Sequence, residues 1–276
     1  MRWTDRQRAM LLEMGIRLWP DATSNGASEA AETQLEVKSA QHALTPPPEQ
    51  ERSATAVVLP TAADLQQAPV PVRDDAVPIS SGLSAMDWPE LQVAVSRCTA
   101  CRLCEARRQT VFGVGNRRAH WMIVGEAPGE QEDLAGEPFV GKSGQLLDNM
   151  LRAIQLTRDE AAPQRQVYIA NTVKCRPPGN RNPQPDELAR CEPYLIRQLD
   201  LVRPRIILAM GRFAVQSLLR SSEPIGKLRG RVHDYRGVPL IVTYHPAYLL
   251  RNLPDKARAW DDLCLAVETV KTCTGP

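Results

Sequence analysis

Four short apolar runs constrain this 276-residue chain more than any other feature: Trp121-Met122-Ile123-Val124, Val167-Tyr168-Ile169-Ala170, Ile206-Ile207-Leu208-Ala209 and Pro239-Leu240-Ile241-Val242. A run of this length without polar alternation reads as a strand buried on both faces. Helical patterns lie between them. Ser143 is placed to cap a helix whose apolar face is Leu146, Leu147, Met150, Leu151 and Ile154. Asp186 starts another through Leu188, Tyr194, Leu195 and Leu199, and Arg212 to Leu219 and Lys256 to Val270 complete the set. Strand–helix alternation implies parallel pairing with right-handed crossovers. The predicted fold is therefore a three-layer α/β/α domain around a central parallel four-stranded sheet, with its ligand site at the carboxyl ends of the strands.

The chain ahead of these runs is different in kind. From Asp21 to Ala85 it is Ala, Ser, Thr, Gln and Pro, with a Pro46-Pro47-Pro48 run and no aromatic residue. Such a stretch buries too little apolar surface to offset its ordering entropy and is expected to be a disordered linker. Residues 1–20 are expected to form an amphipathic helical segment, with Leu12, Ile16 and Trp19 on one face. That leaves 86–276 as the working domain. Residues 1–85 hold 7 Lys/Arg and 11 Asp/Glu, whereas the remainder holds 27 and 21. A modestly basic working domain suits a polyanionic partner and equally suits a solvated basic surface. No run approaches the roughly 18 apolar residues that a membrane span requires, and no signal peptide is evident, so the expected location is cytoplasmic. Seven cysteines in such a chain point to a metal site or buried thiols rather than a disulfide framework.

The loops that leave the outer runs carry the chemistry. The first run leads into Gly125-Glu126-Ala127-Pro128-Gly129-Glu130-Gln131-Glu132-Asp133, and the last into Tyr244-His245-Pro246-Ala247-Tyr248-Leu249-Leu250-Arg251. This pair resembles the two signature motifs of the uracil-DNA glycosylase superfamily. Glu-Ala-Pro-Gly followed by Pro138-Phe139-Val140-Gly141-Lys142 resembles its family 4, the iron–sulfur branch, and Asn171-Thr172-Val173-Lys174-Cys175-Arg176-Pro177-Pro178 fits the same pattern. The resemblance runs from about Cys98 to Val270, and nothing before residue 86 belongs to it.

The resemblance implies excision of uracil from DNA by a turnover enzyme that leaves an abasic site and acts in a bacterial, nucleoid-associated setting, by default as a monomer. Its implied catalytic residues are His245, donating to the developing charge on uracil O2, with Glu126 and Glu132. Glu132 is the expected water-positioning carboxylate and Asp133 its runner-up. Glu126 and the backbone amides of Ala127, Pro128 and Gly129 shape the pocket, Phe139 stacks on the base, and Asn171 reads O4 and N3–H. Lys142, Ser143, Tyr248, Leu249, Leu250 and Arg251 are expected to contact DNA, the leucines as a minor-groove wedge. Cys98, Cys101, Cys175 and Cys191 are the implied ligands of a 4Fe-4S cluster. Spacing alone leaves a structural zinc ion on the same four thiolates open. Cys104 extends the first pair to a C-x2-C-x2-C run and is taken as a spare thiol.

Two other classes compete. Gly136 to Ser143 matches the P-loop pattern G-x4-G-K-S letter for letter, which taken alone predicts a nucleotide hydrolase. However, an acidic stretch precedes it and no later strand ends in a magnesium-binding Asp. The third reading is a replication-associated DNA-binding adaptor with weak or no glycosylase activity. Met10 to Trp19 is similar to the N-terminal peptide of the psi subunit of bacterial DNA polymerase III, which implies docking on the clamp loader.

Overall fold

The computed structural model describes residues 80–273. The predicted helical segment 1–20 and the predicted linker as far as residue 79 lie outside the described residues. Within them the chain runs through α1 (Ser80–Leu83), α2 (Trp88–Ser96), α3 (Leu103–Ala106), β1 (Val114–Gly115), β2 (Trp121–Gly125), α4 (Glu130–Ala135), α5 (Lys142–Ala153) and β3 (Val167–Asn171). It continues through a 3-10 turn (Pro178–Asn180), α6 (Pro185–Val202), β4 (Ile206–Met210), α7 (Arg212–Leu219), α8 (Ile225–Leu228), β5 (Val232–Tyr235), β6 (Val238–Thr243), α9 (Pro246–Leu249) and α10 (Asp255–Cys273). The folded body starts ahead of the expected boundary at 86, because Leu83 is already buried.

The sheet order is β1-β3-β2-β4-β6-β5. The four predicted strands β3, β2, β4 and β6 are mutually parallel and central, so the predicted architecture holds. The sheet is nonetheless six-stranded and mixed, since β1 and β5 add antiparallel edges. Neither edge strand produces an apolar run. β1 is two residues long, and β5 alternates exposed and half-buried positions as an edge facing water must.

Alternate side chains of the central strands enter two cores. Trp121, Ile123, Ile169, Leu208 and Ile241 pack under Leu147, Met150 and Leu151 of α5 and under Trp260 and Leu263 of α10. Met122, Val124, Ala170, Ile207 and Val242 meet Leu195 and Leu199 of α6 and Val215 and Leu218 of α7. A third cluster joins Leu91 and Val95 of α2 to Val173, Cys175, Cys191, Tyr194 and Phe213, below the site end of β3.

Two helix starts differ from the sequence reading. α5 begins at Lys142 with Gly141 as its N-cap, so Ser143 lies in the first turn rather than at the cap. α6 begins at Pro185, one residue before Asp186, with Glu187 returning its carboxylate to the Gln184 N–H at 2.7 Å. The segment with the P-loop pattern joins α4 to α5 and does not leave a strand. Gly136 in it is the left-handed C-cap of α4, a position that favours glycine. A phosphate cradle requires backbone amides presented directly from a buried strand, and this segment lacks that origin.

Candidate functional site

The carboxyl ends of β2, β3 and β6 open into a cleft of about 360 Å³. It is lined by Glu126, Ala127, Pro128 and Gly129 from the loop after β2, Glu132 from α4, Phe139 from the α4–α5 turn, Ser143 from the first turn of α5, Asn171 from β3, and His245, Ala247 and Arg251 after β6. The sequence-predicted catalytic and pocket residues therefore meet in one place. The cleft also takes Pro177, Asn180, Arg181, Asn182 and Pro183 from the loop after β3, which the sequence reading did not assign to the site. The signal was present as a Pro- and Asn-rich loop leaving a buried strand. Arg181 is anchored there by a bidentate pair with the buried Glu187, at 2.6 and 2.9 Å.

The innermost part of the cleft is defined by Phe139, Asn171 and His245. Phe139 is buried and has a left-handed backbone with φ 56°. Three contacts hold this conformation. Arg158 donates to the Pro138 carbonyl at 2.9 Å while paired with Asp148 at 2.7 Å. Glu132 accepts from the Val140 and Gly141 amides at 3.0 and 3.3 Å. The third is the close packing of α5, where a side chain at Gly144 would place its Cβ 1.8 Å from the Phe139 carbonyl oxygen. Gly125 is required for a similar reason: its Cβ would lie 2.4 Å from Asn171 Oδ1 and 2.6 Å from the Phe139 ring. Asn171 is 2 % exposed, and its Oδ1 has no hydrogen-bond partner among the described residues. A buried acceptor left unmet costs about 1–3 kcal/mol, which a ligand donor recovers.

The His245 imidazole lies 5.3 Å from the Phe139 ring, stacked at 28°. Its Nδ1 accepts from the Ala247 amide at 3.2 Å, which places the ring proton on Nε2. Burial pushes its pKa down to about 4, against a smaller opposing effect of Glu132, so the ring is neutral near pH 7. This is a neutral donor in a fixed tautomer.

The carboxylates divide unequally. Glu132 is buried, and its second oxygen accepts from the Gly129 amide at 3.0 Å, so both oxygens brace the pocket walls. Asp133 does not face the cleft; it is 2 % exposed and accepts twice from the Arg108 amide, at 3.0 and 3.1 Å. Glu126 lines the cleft, accepts from the Phe213 amide at the start of α7 at 3.3 Å, and has its pKa raised by burial. Gly211, at φ +92°, leaves room for it, because a Cβ there would lie 2.3 Å from Glu126 Oε1.

The residues expected to contact DNA are split. Lys142 and Leu250 are exposed, and Ser143 and Arg251 line the cleft. Leu249 is fully buried in the core beside α5 and α10, which corrects its assignment to a wedge. The helical turn of α9 points it inward. Tyr248 is stacked on Tyr244 at 5.1 Å and donates to Asp255 at 2.7 Å. Leu253, which the sequence reading missed, is exposed like Leu250.

Below the site, Cys98, Cys101, Cys175 and Cys191 line one void with Arg107, Lys174 and Tyr194. Cys104, read as a spare thiol, lines it too. Among the described residues no group of three or more His, Cys, Asp or Glu side chains has the spacing to hold a single metal ion. Two sulfurs already receive donors: Arg107 donates to Cys175 Sγ at 2.9 Å and the Lys174 amide to Cys191 Sγ at 3.2 Å. Burial raises the Cys101 thiol to about 11 and the Cys191 thiol to about 12.

A family model described as the uracil DNA glycosylase superfamily matches residues 112–264. The chain is 43% identical over 169 residues to the type-4 uracil-DNA glycosylase of Saccharolobus solfataricus, an alignment spanning 58% of this chain and 76% of that protein. It is 43% identical over 164 residues to the type-4 enzyme of Archaeoglobus fulgidus, spanning 56% and 79%. With the type-4 enzyme of Thermotoga maritima it shares 42% over 166 residues, spanning 59% and 83%.

Proposed function

Because this chain belongs to the uracil-DNA glycosylase superfamily, we propose that it hydrolyses the N-glycosidic bond of uracil in DNA as a family 4 enzyme. The observation that carries this reading is the unmet, buried Oδ1 of Asn171 beside the Phe139 ring. An amide there accepts from uracil N3–H and donates to O4, a pattern that cytosine mismatches.

The base must leave the stack, at a cost of a few kcal/mol that the pocket recovers by stacking and edge recognition. A base between two rings needs about 7 Å, two ordinary carbon contacts. The 5.3 Å between Phe139 and His245 is too small. The base therefore meets Phe139 face-on and His245 edge-on, the approach an Nε2–H···O2 hydrogen bond requires. As the bond from C1′ to N1 breaks, the pair passes to uracil and its negative charge gathers at O2, where the neutral imidazole donates. Water adds its hydroxyl to C1′ and its proton is released. Glu126 is the cleft carboxylate assigned to that water. Glu132, together with Ala127, Pro128 and Gly129, holds the walls. Lys142, Ser143 and Arg251 take phosphates, and Leu250 with Leu253 fills the vacated stack.

Cys98, Cys101, Cys175 and Cys191 are the residues assigned to a 4Fe-4S cluster. A ring of thiols around a void suits an inorganic core larger than one ion, and hydrogen bonds to two of the sulfurs suit thiolate ligands. Bound there, it supplies a rigid cross-link. A zinc ion on the same thiolates is the alternative, separated by the visible spectrum. Among the described residues no helix is long and apolar enough to cross a membrane. A cytoplasmic, nucleoid-associated monomer is part of the proposal, as is contact with the clamp loader through residues 1–20. Failure of that segment, fused to a carrier, to retain clamp-loader subunits sinks the contact.

The decisive test incubates the protein with matched uracil and cytosine oligonucleotides, then alkali, beside its absorption spectrum. Strand breaks confined to uracil with a brown chromophore are expected. ATP hydrolysis without strand breaks would reverse the reading.

A further inference from the structure

Lys174 is among the most deeply buried large side chains, at 1 % exposure. No carboxylate pairs with it among the described residues. A buried ammonium costs several kcal/mol unless it is used. Its Nζ donates to the Asn171 carbonyl at 2.8 Å and to Gln198 Oε1 at 2.6 Å. Gln198, 0 % exposed, donates onward to Tyr168 Oη at 3.1 Å and to the Phe112 carbonyl at 2.9 Å. The amide of Lys174 meanwhile donates to Cys191 Sγ at 3.2 Å, and the residue lines the thiol void together with Arg107 and Arg190.

We propose that Lys174 is a positioning residue that latches the base-reading Asn171 to the thiol nest, so that uracil recognition depends on what the nest holds. The proposal rests on the reading of Asn171 as the group that recognises uracil. Asn171 is the last residue of the β2–β3 ladder, where a strand end is free to fray. Its side chain must nevertheless point at the space left by Gly125 with enough precision to tell one pyrimidine from another. The Lys174 ammonium fixes the main-chain carbonyl of that same residue. On the other side the backbone amide of the same residue holds Cys191 Sγ. One residue thus ties the two sites, four positions apart at Asn171 and Cys175, into a single rigid unit. A neutral residue of similar size could fill the volume but would leave the Asn171 carbonyl unheld.

The test uses the full chain with Lys174→Met, Gln198→Leu and Gln198→Glu. Each is measured for affinity to duplex carrying a non-hydrolysable 2′-fluorinated deoxyuridine and to the same duplex carrying a tetrahydrofuran abasic analogue, with iron content, visible absorption and thermal midpoint. Lys174→Met is expected to weaken the uracil duplex by about tenfold, the loss of one well-placed hydrogen bond, and the abasic duplex by less than about twofold, with iron retained. Gln198→Leu should shift the same ratio in the same direction, and Gln198→Glu, which keeps an acceptor for the ammonium while giving up the bond to the Phe112 carbonyl, should recover part of it. Equal losses on both duplexes, or unchanged uracil affinity with iron intact, overturn the latch. If Lys174→Met does not fold, the Gln198 pair decides alone. A wild-type protein that fails to prefer uracil over thymine overturns the glycosylase reading instead.

Discussion

The proton on His245 is assigned by its neighbours. Nδ1 is committed to the Ala247 amide, and burial holds the ring's pKa near 4, whereas an unfolded histidine titrates near 6.5. Between those values the unfolded chain takes up a proton that the folded site refuses. The group's contribution to stability is therefore complete above about pH 6.5 and is lost as the pH falls toward 4. In an NMR titration the His245 ring signals should stay unmoved from about pH 8 to 5, and a midpoint near 6.5 would refute the neutral-donor role. Glu132 makes a second residue-scale case. Because three backbone amides fill its oxygens, Glu132→Gln turns an amide donor against N–H groups, at a cost of about 1–3 kcal/mol. Uracil affinity and thermal midpoint should fall together. A loss confined to kcat would instead return the water to Glu132. His245, Asn171 and Phe139 were legible in the sequence because each sits where a buried run ends or a motif repeats a known pattern. The wrong turn at Leu249 and the choice of Asp133 as a runner-up came from facing, since a four-residue helix and a capped turn decide direction by contacts that no local pattern carries.

At the scale of elements, the central strands were readable because burial on both faces removes polar alternation, and their helices because each shows a single apolar stripe. β1 and β5 were not, since an edge strand has neither signature. The start of α5 is not legible locally because the entry to the helix, Val140 and the cap residue Gly141, is held by Glu132, eight and nine residues upstream of them, rather than by a side chain at the cap. One long-range tie matters for the edge. Asp262 of α10, 0 % exposed, pairs with Arg229 at 3.0 Å and accepts from the Gly230 amide at 3.1 Å, where the chain enters β5. Removing Asp262 leaves the half-buried Arg229 guanidinium with the Arg258 carbonyl but without its counter-charge. Asp262→Ala should therefore cost about 3–5 kcal/mol in denaturant unfolding. Arg229→Met combined with it should recover much of the loss, and a loss below about 1 kcal/mol for the single change would show that the pair is dispensable.

Across the whole molecule, the thiol nest joins segments that the sheet does not. Cys98 and Cys101 belong to the segment ahead of the sheet, Cys175 follows β3, and Cys191 sits inside α6. The small cluster around them joins α2 to α6, so its cohesion depends on groups whose burial opposes their charged form. Thiolates there become favourable only when an inorganic core neutralises them, which couples loading to folding. Chelation or oxidative removal of iron, like Cys191→Ser, should bleach the visible absorption and lower the thermal midpoint by several degrees, the shift that about 1–2 kcal/mol produces in a domain this size. The two sheet cores should persist, so far-ultraviolet circular dichroism should change little while uracil affinity falls. If uracil affinity survives complete loss of iron, the nest is a staple for α2 alone and the site above it stands without it.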